Sequence, residues 1–282
     1  MASTRRITFA VTAALAAGAA IAVPAVSYAA TSDHRTTPVV ASAPVTKSVP
    51  SGQKPTVVLV HGAWADSGSW SSVIQRLRKD GYPVRAAGNP LRGIAEDAAS
   101  VRSLVDSIDG PVVLVGHSYG GAVISAAAAG DDKVKSLVYL TAFAPEKGES
   151  VGDLAGRKVA NPIPVAPTVP VPTSDGGTDL YLDPAGFRSV FAADVPKRAA
   201  AVLAATQRPI AAAAFGEKAT AAAWSTIPSW YLVATKDQAI APETQRFMAR
   251  RAGSTISQVS SSHAVMVSHP AKVTQVIEAA AR

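Results

Sequence analysis

The chain has 282 residues, is 48% hydrophobic and 17% charged, and carries a formal net charge of +7 with no cysteine. Without cysteine it has no thiolate nucleophile, thiolate-bound zinc or iron–sulfur cluster, and its stability must come from a packed core rather than from disulfides. The basic residues are scattered, as in Arg76, Arg78 and Lys79 or Arg250 and Arg251, without a stripe or interleaved aromatics, so they read as solvated helix faces and nucleic acid is not expected as a partner.

Residues 1–29 are expected to be a secretory signal peptide. Arg5-Arg6 precedes an uncharged, Ala-rich stretch from Ile7 to about Val26, and Ser27-Tyr28-Ala29-Ala30 offers a small-residue exit with cleavage after Ala29. A membrane anchor is the alternative, because the run is near spanning length, but it is mostly weakly apolar Ala and ends in a cleavage-like site. The paired arginines also fit twin-arginine export, although Thr8 stands where that signal usually has an apolar residue. The expected product is secreted and extracellular, with no stable membrane insertion after cleavage. Residues 30–53, rich in Thr, Ser, Pro and Val and including His34, read as a flexible linker. Residues 54–282 suit one α/β domain with a full core.

Within that domain, short β-branched runs alternate with amphipathic stretches. Thr56–Val60 reads as a buried strand, Trp70–Lys79 as a helix ended by Gly81, Pro83–Ala87 as a strand and Ile94–Ile108 as a helix. Pro111–Val115 and Ala122–Ala129 form a strand and a helix around a glycine-rich turn. Further strands are expected at Leu137–Thr141, Ser229–Ala234 and Thr255–Val259, with a helix from Pro242 to about Arg251. Strands separated by helix-length segments imply a mostly parallel sheet covered on both faces. The regularity breaks between about Pro145 and Ala223, where Pro162, Pro164, Pro167, Pro170 and Pro172 are expected to preclude regular structure. Short Ala-rich helices follow near Ala185–Ala193 and Lys197–Thr206. An insertion this long is expected to act as a lid over the carboxyl end of the sheet.

The turn itself is Gly116-His117-Ser118-Tyr119-Gly120, placed between strand and helix. A Gly-x-Ser-x-Gly turn in that setting holds its serine in a strained conformation and presents the hydroxyl above the sheet, so Ser118 is the candidate nucleophile. It needs a base. Of the histidines, His61 ends the first strand, His117 lies inside the turn and is expected to pack, and His269 beside Pro270 is expected to cap or pack. Only His263 follows a strand on a loop after the nucleophile, in Ser260-Ser261-Ser262-His263. In the chain order serine, acid, histidine that accompanies such a turn in the hydrolases this chain resembles, the acid comes from a loop between them. Asp237 follows the strand Ser229–Ala234 and would fix the His263 tautomer, whereas Asp131, Asp132, Asp153, Asp183, Asp194, Glu217 and Glu243 fall on helices or in the lid. The developing oxyanion needs backbone donors, expected from Tyr119, the residue after the nucleophile, and Ala63 in the first-strand loop. Trp64 is expected to line an apolar acyl pocket, and Trp70 to pack in the core.

With these residues in place, the chain resembles the α/β-hydrolase superfamily from about Thr56 onward. Val58-Leu59-Val60-His61-Gly62-Ala63-Trp64, the Gly116–Gly120 elbow and Ser262-His263-Ala264-Val265-Met266 look like the branch of plant methyl esterases and hydroxynitrile lyases, shared by bacterial esterase-like hydrolases. The resemblance implies an α/β-hydrolase fold: a mostly parallel central sheet, helices on both faces and a small, mostly helical lid. It implies a serine hydrolase that cleaves a small-molecule carboxylic ester through an acyl-enzyme on Ser118, His263 and Asp237, with no cofactor or metal; that the hydrolase is secreted rests on the leader. Lyases of that branch typically carry Thr and Lys where this chain has Gly62 and Ala264, which favours esterase. A lyase-like reaction on the same triad, or a binding protein without turnover, are the alternatives.

Overall fold

A computed structural model describes residues 54–282, and the signal-peptide and linker expectations for residues 1–53 lie outside the described residues. From the amino end the elements are β1 (Thr56–Val60), α1 (Ser71–Lys79), β2 (Val84–Ala87), α2 (Ile94–Asp106), β3 (Val112–His117), α3 (Gly120–Ala127) and β4 (Val134–Leu140). An insertion follows, with α4 (Val151–Ala155), β5 (Thr168–Pro172), β6 (Thr178–Leu182), α5 (Pro184–Phe191), α6 (Lys197–Thr206) and β7 (Ile210–Ala211). The main sheet resumes with β8 (Ser229–Ala234), α7 (Pro242–Arg251) and β9 (Thr255–Val259), and α8 (Val265–Ser268) and α9 (Pro270–Ala280) come after it.

Six strands form one sheet in the order β2-β1-β3-β4-β8-β9, with every neighbouring pair parallel. Such strands are buried on both faces, which explains the unbroken apolar runs: Val57 to Val60 and Val112 to Val115 are fully buried. The order reverses at β1, which has β2 on one side and β3 on the other. Right-handed crossovers then send α1 to one face and α2 and α3 to the other. Accordingly α1 packs with α9, and α2 with α3. The reversal opens a crevice beyond the carboxyl ends of β1 and β3, whose last paired residues are Val60 and Gly116.

The helical start expected at Trp70 is instead a tight 3₁₀ turn over Ser67–Trp70, capped by the Asp66 side chain, with α1 beginning at Ser71. The insertion contains the expected helices together with a three-stranded antiparallel sheet, β5-β6-β7. This corrects the expectation that the prolines preclude regular structure. β5 is an edge strand: Pro170 and Pro172 pair opposite Leu180 and Thr178, two residues apart, so their missing N–H positions both face away from β6. The alternate register carries the bonds, as in the Thr173 N–H donation to the Gly177 carbonyl at 3.1 Å.

Candidate active site

Ser118 sits at the turn between β3 and α3 with φ of 54°. That left-handed conformation costs an L-residue about 1–2 kcal/mol, so the neighbouring structure must impose it. It does so by close packing. A Cβ on Gly120 would lie 2.6 Å from the Val60 carbonyl oxygen, and one on Gly116 would lie 2.6 Å from the Gly120 carbonyl oxygen. The Ser118 carbonyl accepts from the N–H groups of Gly121 and Phe143, both at 3.0 Å. Its side chain borders a cavity of about 360 Å³ that is also lined by Ala63, Trp64, Tyr119, Phe143, Phe215 and Ile240 and by Ile163 to Ala166 of the insertion.

His263 and Asp237 follow the adjacent strands β9 and β8 and meet in the interior. His263 Nδ1 lies 2.7 Å from Asp237 Oδ2, with both side chains almost fully buried. A buried carboxylate needs its remaining lone pairs satisfied. Asp237 accepts from the N–H groups of Ala239 at 2.7 Å and Ile240 at 3.0 Å, and from Gln245 Nε2 at 2.8 Å. With an acceptor at Nδ1, the imidazole proton belongs there, which leaves Nε2 as a bare lone pair. Nε2 is buried and, among the described residues, has no hydrogen-bond partner, Ser118 Oγ included.

The residue beside Ser118 holds the histidine loop. His117 Nε2 donates to the His263 carbonyl at 3.0 Å, and Thr141 Oγ1 donates to the same oxygen at 3.2 Å. The His117 and His263 rings lie 4.7 Å apart. Burial, then the neighbouring His263, push His117 well below the usual histidine range, so it is a neutral donor. The Phe191 ring meets His263 edge-on, with centroids 4.9 Å apart.

The loop after β1 comes close on the other side. A Cβ on Gly62 would lie 2.6 Å from Ser118 Cβ and 3.0 Å from the Tyr119 nitrogen. The N–H groups of Ala63 and Tyr119 donate to no acceptor among the described residues, although both residues are buried. Buried orphan N–H groups are rare and suit a developing anion. Trp64, at φ of 59°, lines the cavity and donates from Nε1 to the Leu180 carbonyl at 2.9 Å, tying this loop to the lid. Trp70 is fully buried and packs edge-on against His117. His61 is buried with Nδ1 2.9 Å from the Gly62 carbonyl oxygen, and burial lowers its pKa.

The other acids have different work. Asp153 closes a capping box on α4 and pairs with Lys218, Asp183 caps α5, and Glu217 accepts from the Ile94 and Ala95 N–H groups at the start of α2. Glu243 accepts from Ala160 and Asn161, and Asp131 lies 4.0 Å from Arg102. Asp194 is the one sequence reasoning undervalued. From the lid it accepts from the Ser262 N–H at 3.1 Å and from the Ser262 hydroxyl, so it clamps the residue before His263. Burial works to raise this carboxylate, but the Ser262 bonds, together with the hydroxyls of Ser261 and Ser268, outweigh it and hold it below the usual range. His269 Nδ1 stands 3.6 Å from it and 3.0 Å from Ser268 Oγ. Gln245, which supports Asp237, was also missed. No local pattern marks either residue. A larger, open hollow of about 630 Å³, lined by Thr56, Arg78, Tyr82 and Asp109 among others, lies at the amino end of the sheet, away from these groups.

The family model described as "Alpha/beta hydrolase family" matches residues 57–276. A probable hydrolase of Phoma sp. is 30% identical over 207 residues, covering 68% of this chain and 81% of that protein. Among solved structures, a pyrethroid hydrolase of Sphingobium faniae superposes with a TM-score of 0.68 at 24% identity, covering 80% of this chain and 97% of the other. A methylesterase protein of Arabidopsis superposes with a TM-score of 0.64 at 19% identity, covering 80% and 98%. At these identities the structural likeness shows the fold alone.

Proposed function

The chain belongs to the alpha/beta hydrolase family, and on that premise we propose that it is a secreted serine esterase acting on small-molecule carboxylic esters. Ser118 Oγ attacks the ester carbonyl while His263 Nε2 takes its proton. Asp237 holds the imidazole in the tautomer that leaves Nε2 free, then stabilises the imidazolium without itself taking the proton. The Ala63 and Tyr119 N–H groups receive the oxyanion. Collapse of the tetrahedral intermediate breaks the ester C–O bond, and His263 protonates the departing alcohol. Water, deprotonated by His263, then releases the acid from the acyl-enzyme and restores Ser118.

The observation that carries this reading is the buried Asp237–His263 pair at 2.7 Å with an unpartnered Nε2, on a loop bonded to the residue next to Ser118. The cavity of about 360 Å³ is at the small end of ligand pockets, which supports compact substrates. Ala264 brings no cation beside His263 to receive a leaving cyanide, which argues against the lyase alternative. Export rests on the leader-like residues 1–29.

The test is a panel of p-nitrophenyl esters of increasing acyl length, run on the natural protein and on Ser118→Ala. Short-chain esters should be turned over, and the variant should lose on the order of 10⁴-fold or more in kcat. Undiminished turnover by Ser118→Ala overturns the assignment.

A further inference from the structure

A second cleft, of about 400 Å³, is lined by Arg157, Lys158, Glu243, Arg246, Phe247 and Arg250 among others. It and the cavity at Ser118 are neighbours along the chain on both sides: Gly156 lines the cavity and Arg157 the cleft, while Ile240 lines the cavity two residues before α7, which supplies the cleft's far wall.

The charge in this cleft is unbalanced. None of its four cations takes part in an ion pair among the described residues. Arg246 bonds only to the neutral Gln258 oxygen, at 3.2 and 3.0 Å, and Arg157 lies over the Phe247 ring at 3.6 Å. Glu243, the one carboxylate present, is already engaged by the Ala160 N–H at 2.8 Å and by the backbone and side chain of Asn161. Those bonds, the Asn161 side chain foremost, and after them the charge of Arg246 hold Glu243 below the usual carboxylate range, so it stays an anion that offsets one of the four cations. Arg246 and Arg250 stand four apart on one helix, where like charges repel. Arg251, next in sequence to Arg250, by contrast meets Glu149 at 2.7 Å. A concave group of three arginines and a lysine, only partly offset by Glu243 and with an aromatic floor, has the chemistry of a carboxylate receptor, because the planar guanidinium matches the two carboxylate oxygens.

We propose that this cleft is an anion subsite of the catalytic cavity, and that the preferred substrates are esters carrying a second, free carboxylate remote from the scissile bond. The inference rests on the esterase reading above. It places the anionic end of the substrate against Arg157, Lys158, Arg246 and Arg250, and the ester carbonyl at Ser118. Binding then anchors the substrate by its unreactive end, which lowers KM more than it raises kcat.

The experiment compares the mono-p-nitrophenyl ester of glutaric acid with p-nitrophenyl valerate, a neutral substrate of similar length. Both are assayed with the natural protein and with the charge-neutral variant Arg157→Gln/Lys158→Gln/Arg246→Gln/Arg250→Gln. The anionic-to-neutral ratio of kcat/KM should fall about tenfold or more in the variant, mainly through KM, and should fall in the natural protein as salt rises from about 0.05 to about 0.5 M. An unchanged ratio in the variant overturns the subsite. A second arm needs no turnover: calorimetric titration of glutarate into Ser118→Ala protein, with and without the four substitutions. Glutarate binding that the substitutions abolish supports the subsite even where neither ester is hydrolysed, an outcome that refutes the esterase reading alone. Equal binding in both proteins, or none in Ser118→Ala, overturns it.

Discussion

Gly62→Ala puts a single methyl group where Ser118 and the proposed oxyanion donors come closest. The new Cβ would stand 2.6 Å from Ser118 Cβ, 2.7 Å from the His117 carbonyl oxygen and 3.0 Å from the Tyr119 nitrogen, whereas ordinary contact begins at 3.4 Å. Two of these neighbours are backbone atoms and the third is the first carbon of Ser118, so none can rotate away. The loop after β1 must therefore withdraw by somewhat under an ångström, carrying the Ala63 N–H with it. Overpacking of this kind costs about 1–3 kcal/mol of stability, which a domain of this size survives. Loss of one oxyanion donor costs about 10²–10³ in kcat. The expected result is a folded protein with kcat down by about that factor on a short p-nitrophenyl ester and KM changed little. A Gly62→Ala protein with natural kcat refutes the placement of the oxyanion site.

Three further outcomes follow from the geometry. Asp237→Asn keeps the shape but offers an amide N–H toward His263 Nδ1, forcing the proton to Nε2, and kcat should fall about 10⁴-fold with the melting temperature shifted far less. Folding stability should decline as pH drops below 6.5, because His61 and His117 are held neutral in the fold and protonate readily once unfolded. Each contributes a slope of up to about 1.4 kcal/mol per pH unit between 6.5 and its own lowered value, so denaturant titrations at stepped pH should show a steeper loss for the natural protein than for His117→Gln. Asp194→Asn weakens the clamp on Ser262 and should cost about 1–3 kcal/mol of loop anchoring, read as a several-fold lower kcat. A variant with unaltered kcat would limit Asp194 to a surface contact.

Much of this architecture is written locally. β8, β9 and α7 begin and end where the apolar runs and Pro242 place them, and the Gly116–Gly120 turn announces the positive φ of Ser118. The proline-rich run misled because proline excludes a central strand but not an edge one, and edge status depends on β6, whose pairing no local pattern specifies. Trp70 looked like the first residue of a helix, yet Asp66 captures the Ser69 N–H and draws the residues before α1 into a tighter turn. Gln245 and Asp194 escaped notice for another reason: Asp194 reaches Ser262 across 68 residues, and Gln245 reaches Asp237 from a helix face. Such contacts exist only once the sheet brings its loops together.

The most direct measurement is covalent labelling with a fluorophosphonate, followed by mass spectrometry of the intact protein and its peptides. The account requires one adduct per chain, on Ser118, formed much more slowly when His263 is replaced by Ala. An unmodified Ser118 in natively folded protein, or labelling at natural speed without the imidazole, contradicts it.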